Sequence, residues 1–144
     1  MEYEPDFVKS FMRRTAAIIK EYNGPLDATM LVNCLLGLLV VPRESLFLKI
    51  PDVPFDALSS WGIGPSSIKK FGVCDYGCEH EPTLRQLVRR LRNAVAHFNV
   101  HPMHSNGEVS GFRFKDRNGF CAEVPLSQLR DFLIRLAEYL EENA

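Results

Sequence analysis

Apolar residues recur at helical spacing in four long stretches of the chain, and each stretch carries a start or stop signal. The first helix is expected to begin after Asp6, a good N-cap. Phe7, Phe11, Thr15, Ile18, Ile19 and Tyr22 then form one apolar stripe. Asn23-Gly24-Pro25 ends it, since glycine suits a helix C-terminus and proline cannot continue one. Asp27 is expected to cap a second helix from about Ala28 to Val41. That helix is apolar almost all round, which marks burial on several sides or half of a subunit interface. The third starts at Thr83, with Gln86 at capping-box spacing, and runs to His97 or Phe98. The last carries Leu129, Phe132, Leu133, Leu136, Ala137 and Leu140 on one face.

The pattern changes twice. Between residues 42 and 80, four prolines and four glycines forbid any long regular element. Short helical turns are expected near Phe55–Ser60 and Ser66–Phe71. Leu46, Phe47, Ile50, Phe55, Leu58, Trp61 and Ile63 are expected to dock this segment on the helices. After a loop beginning at His101-Pro102, Val109–Lys115 and Phe120–Val124 alternate as strands, with Asp116-Arg117-Asn118-Gly119 as a tight turn between them. The predicted architecture is mainly α. About four long helices form a bundle within one domain, residues 1–144, and a small β-hairpin at about 109–124 is inserted before the last helix.

Composition narrows the function. The chain has 144 residues, 46% of them apolar, enough for a core of its own. Its 17 basic residues balance 18 acidic ones, so bulk charge does not bind nucleic acid and any such contact must be local. The longest apolar run, Met30 to Val41, is shorter than the ~20 residues of a membrane span. No secretory signal is read at Met1–Asp6, and the four cysteines then read as free thiols in a reducing cytoplasm, Cys34 being a core residue.

The third helix holds the candidate chemistry. Leu84, Leu87, Val88, Leu91, Ala94, Val95 and Phe98 fall on one arc at ~100° per residue, leaving Arg85, Arg89, Arg92, Asn93 and His97 on the other. Four arginines lie within eight residues with no acid among them. Like charges repel there, so an external anion or acids from elsewhere in the fold must relieve the cost. Arg92 and His97 stand five apart, both on the polar arc. A guanidinium offers a fork of donors to phosphate oxygens, and an imidazole moves protons near neutral pH. Together they suit phosphodiester cleavage without a metal.

Arg92-Asn93-Ala94-Val95-Ala96-His97 resembles the Arg-x4-His motif of the HEPN superfamily, with a polar residue directly after the arginine. The domain size, the position of the motif late in the third long helix, and the tract from Leu36 to Glu44 also resemble small HEPN proteins of bacterial plasmids and defence loci. The resemblance implies a metal-independent endoribonuclease, a toxin or defence effector that forms a homodimer and needs no cofactor. Arg92 and His97 would be catalytic, Asn93 would orient or bind, and Arg85 and Arg89 would bind RNA. The product would be a 2′,3′-cyclic phosphate. It further implies a possible nucleotidyltransferase-like antitoxin. One toxin branch carries a modifiable tyrosine two residues after the histidine; here that position is Asn99.

Other readings stand beside this one. The arginine face is also what a solvated helix would show, and a non-catalytic RNA- or nucleotide-binding module or a protein-interaction subunit would carry it too. Cys74, Cys78 and His80 resemble half a zinc site, with Cys121, His101 or His104 as further ligands, but the second ligand pair that structural zinc wants is missing and loop thiols are the simpler reading. Arg113 and Lys115 either extend an RNA surface or form a solvated strand face opposed by Glu123.

Overall fold

The computed structural model describes residues 7–73 and 82–144. Its elements run α1 (Phe7–Glu21), α2 (Asp27–Val40), α3 (Glu44–Phe47), two 3₁₀ turns (Phe55–Trp61 and Pro65–Ser67), β1 (Ile68–Lys70), α4 (Leu84–Ala96), β2 (Val100–Ser105), β3 (Glu108–Lys115), β4 (Cys121–Pro125) and α5 (Leu126–Asn143).

Helix α5 is the centre of the fold. All six residues of its expected stripe are buried, packed against α1 and α2 on one side and the sheet on the other. In α1 the stripe lies one notch round from expectation. Met12, Thr15, Ala16 and Ile19 are buried at the i, i+3, i+4, i+7 spacing of a core face. Phe7 and Ile18 are 40% and 52% exposed. Phe11, Ile18 and Tyr22 instead line an open apolar groove against Leu26, Met30 and Cys34 of the next segment. The expected cap at Asp27 is local only: its Oδ1 accepts from the Ala28 amide at 2.8 Å.

The sheet is the main correction to the sequence reading. A small hairpin was expected; the molecule has a four-stranded antiparallel sheet in the order β1-β4-β3-β2. The expected pair is there, with Phe112 opposite Val124 and Phe114 opposite Ala122. These side chains are buried against the helices, while Arg113 and Glu123 pair on the other face at 3.6 Å. A strand is added on each side. β2 occupies the stretch read as a loop, and β1 replaces the second half of the turn expected at Ser66–Phe71.

Two features hid β2. It is an edge strand, where Pro102 is tolerated because no partner needs its missing amide. Its burial follows no two-residue period, being interrupted by a bulge at Met103/His104. The tight hairpin turn is Asn106-Gly107, both with positive φ (54° and 79°), between Ser105 and Glu108. The Asn118-Gly119 step lies in a longer loop organised by Asp116, whose Oδ1 accepts from the amides of Asn118 and Phe120 at 2.8 and 3.0 Å.

The segment between α2 and β1 docks as expected, with Leu46, Phe47, Ile50, Leu58, Trp61 and Ile63 buried. No helix among the described residues is long and apolar enough to cross a membrane.

Candidate functional site

Helix α4 begins where the capping signal put it. Thr83 Oγ1 accepts from the Gln86 amide, though at 3.4 Å. The reciprocal half of the capping box does not form, and Gln86 Oε1 is buried without a hydrogen-bond partner among the described residues. The helix buries Leu84, Leu87, Val88, Leu91, Ala94 and Val95, so its polar arc faces away from the core as expected. Phe98, expected on the same buried arc, lies beyond the helix end and is exposed. Arg90 is the exception, at 2% exposure.

Acids from distant segments relieve three of the four crowded arginines, each in a different way. Arg85 donates from Nε to the Ile50 carbonyl at 2.8 Å and pairs through Nη1 with Asp52 at 3.2 Å, tying the turn after α3 to the helix. Arg90 pairs with Asp116 at 3.0 Å, donates to the Val73 carbonyl and lies 5.7 Å from the Phe71 ring. Arg92 pairs through Nη1 with Glu44 Oε2 at 2.6 Å, and its guanidinium sits over the Phe47 ring at 4.2 Å. Arg89 is exposed and has no ion pair among the described residues.

Glu44 and Phe47 belong to one turn of helix that follows Pro42, so a single short element supplies both the carboxylate and the ring. One corner of the Arg92 guanidinium and one of its faces are thereby fixed. Its Nε and Nη2 have no hydrogen-bond partner among the described residues. The side chain remains 31% exposed.

Arg89, Arg92 and Asn93 line one open groove of about 540 Å³ between α4 and the end of α2, with Val40 and Ala96 on its walls. Arg85 opens instead onto a smaller recess beside it, which Arg89, Arg92 and Glu44 also border. His97 follows directly after Ala96. It is the C-cap of α4, exposed, and not part of the groove wall itself. The structure thus brings three of the five candidate residues to one groove, leaves His97 exposed at the helix end one residue beyond the groove-lining Ala96, and commits much of Arg85 to packing the preceding loop.

The arginine run left open an external anion or acids from elsewhere in the fold, and Glu44, Asp52 and Asp116 were not identifiable from it. Arg92 and Glu44 are 48 residues apart in the chain, and Arg90 and Asp116 are 26 apart. Only the absence of acids on the helix signalled them.

The other sequence candidates resolve more simply. Arg113 is opposed by Glu123, the solvated-face reading. Cys34 is half-buried on the α1–α2 groove with its thiol 3.8 Å from Met30 Sδ, and burial pushes its pKa up, as in an unreactive thiol. Cys74, Cys78 and His80 lie outside the described residues. Among the described residues no group of three or more potential metal ligands comes together.

No curated protein and no solved structure matches the chain significantly. A family model does: that of the HEPN proteins described as HEPN pEK499 p136, over residues 1–144. With the whole sequence matched, the chain belongs to this HEPN family.

Proposed function

We propose that this HEPN protein is a metal-independent endoribonuclease acting as a toxin or defence effector. The observation that supports the reading best is the state of Arg92. Glu44 and Phe47 hold one corner and one face of its guanidinium, and the remaining donors stay uncommitted beside an open groove. A guanidinium orientated before substrate arrives needs little reorganisation when charge builds on a phosphate. Asn93 shares the groove and adds a neutral hydrogen-bonding group, Arg89 adds an exposed cation, and Arg85 extends the basic side towards the smaller recess.

In this reading the ribose 2′-oxygen attacks the adjacent phosphorus. The bond from the 2′-oxygen to phosphorus forms as the bond from phosphorus to the 5′-oxygen breaks. One His97 takes the 2′-hydroxyl proton and a second protonates the departing 5′-oxygen. Arg92 donates to the non-bridging oxygens as their charge grows. The ends left are a 2′,3′-cyclic phosphate and a 5′-hydroxyl. The two imidazoles come from two copies of the chain, so the active species is a homodimer. Val40, 71% exposed on the groove wall, and Leu36, 38% exposed, are apolar surface that a second copy would cover. A nucleotidyltransferase-like antitoxin is a compatible partner, but with Asn99 in place of a tyrosine it would have to restrain the enzyme by binding rather than by modifying that position.

The test is to incubate the purified protein with single-stranded RNA in excess chelator and map the product ends. Cyclic phosphate and 5′-hydroxyl ends, from a protein that scatters light as a dimer, are the expected result. Ends bearing 3′-hydroxyl and 5′-phosphate groups, or cleavage abolished by the chelator, would overturn the mechanism.

A further inference from the structure

Helix α4 ends in an unusual way. The Phe98 amide donates to the Val95 carbonyl at 3.1 Å, and the Asn99 amide to the Ala94 carbonyl at 2.8 Å. With His97 as C-cap, these are the two bonds of a Schellman ending. That motif places the residue after the C-cap in the left-handed region, where glycine is the usual occupant and asparagine the common substitute. Here the residue is phenylalanine, with φ of 56°.

The strain brings no return in packing. Phe98 is 89% exposed, the most exposed large apolar residue among those described. Its ring makes no aromatic contact among the described residues, unlike Phe71 on Phe120 or Trp61 on Tyr139. The fold therefore holds a planar apolar side chain in water, in a backbone state that disfavours it, directly beside His97. Strained, exposed residues next to a candidate proton-transfer group point to a ligand rather than to stability.

We propose that Phe98 is a stacking platform for an unpaired nucleobase of single-stranded RNA, the base of a nucleotide flanking the phosphate held at Arg92 and His97. The assignment rests on the reading of that groove as an RNA site. A base next to the reacting phosphate is carried within one nucleotide of His97, and the adjacent residue supplies the flat apolar face that every base can use. Stacking of this kind requires a base splayed out of any helix, so it selects single strands over duplex.

The test uses mixed-sequence 2′-O-methyl oligonucleotides, which lack the attacking hydroxyl and are not cut, each carrying 2-aminopurine to report stacking. Wild-type protein is expected to quench the 2-aminopurine and to bind single strands in preference to the matching duplex. Phe98→Gly should weaken binding roughly 5- to 150-fold, the range that stacking of one base gives, and abolish the quench. Its thermal midpoint should be unchanged or higher, since glycine relaxes the left-handed residue. Phe98→Trp should bind at least as well as wild type. A role in folding alone could not combine weaker binding with retained stability. If wild type binds and Phe98→Gly binds equally, or duplex binds as tightly as single strand, the stacking role falls while the RNA site stands. If Phe98→Gly splits a wild-type dimer, the ring belongs to a subunit contact and the proposal is overturned. If wild type binds none of the oligonucleotides, the RNA reading and this one fall together.

Discussion

Arg90 and Arg92 stand two residues apart on one helix, and their surroundings are opposite. Arg90 is sealed in: its side chain is 2% exposed, its Asp116 partner 1%, and its other partners among the described residues are a backbone carbonyl and the Phe71 ring. It ties α4 to the β3–β4 loop and to residues 71–73. Arg92 meets a carboxylate that is 67% exposed, keeps donors uncommitted and faces a groove. Two residues turn a helix by about 200°, enough to carry the same side chain from the sheet side to the open side. The arginine-rich run in the sequence is therefore two features. One is a buried bolt, and the other is a basic face of Arg85, Arg89 and Arg92.

The difference predicts that mutations at the two positions separate activity from stability. Arg92→Ala should lower RNA cleavage by about 10²–10³-fold, the scale of one lost charge-stabilising donor. It should cost less than about 1 kcal/mol of stability, because an exposed ion pair and a partly solvated ring contact are worth little. Arg90→Met should do the reverse. It leaves Asp116 buried without its countercharge, a loss of about 3–5 kcal/mol, measurable by urea unfolding. Asp116→Asn in the same chain should restore at least half, because the amide oxygen still accepts from Asn118 and Phe120 while the stranded charge is gone. If Arg90→Met were stable but inactive, the division between bolt and face would be wrong.

Glu44→Gln sharpens the picture on the Arg92 side. It removes a charge that competes with phosphate and loosens the guanidinium. RNA binding should tighten about two- to fivefold while turnover falls, and equilibrium binding with single-turnover rates separates the two effects. Arg113→Ala sets the floor. Its 3.6 Å pair with Glu123 lies on the outer face of the sheet, and its loss should change stability by less than about 0.5 kcal/mol.

Legibility followed the same line between local and distant. The six core positions of α5, the start of α4 and the alternation of β3 and β4 were readable because each depends on spacing within one segment. So was the polar arc that carries Arg92, Asn93 and His97. The stripe of α1 was misjudged because Phe7 and Ile18 are apolar yet face outward, and hydropathy alone does not say which of two adjoining apolar strips meets the core. β1 and β2 were missed because a three-residue strand and a proline-containing edge strand have no period to detect; only pairing with β4 and β3 makes them strands. The partners of the arginines were unreadable for the same reason. Their contacts exist only after α3 and the β3–β4 loop have been folded onto α4.

The most direct measurement is the initial rate of single-stranded RNA cleavage, in chelator, by wild type, Arg92→Ala and His97→Ala matched for folding by circular dichroism. The account predicts cutting by wild type and a loss of at least 100-fold in each variant. Cleavage at the wild-type rate by His97→Ala, or none by any of the three, would contradict it.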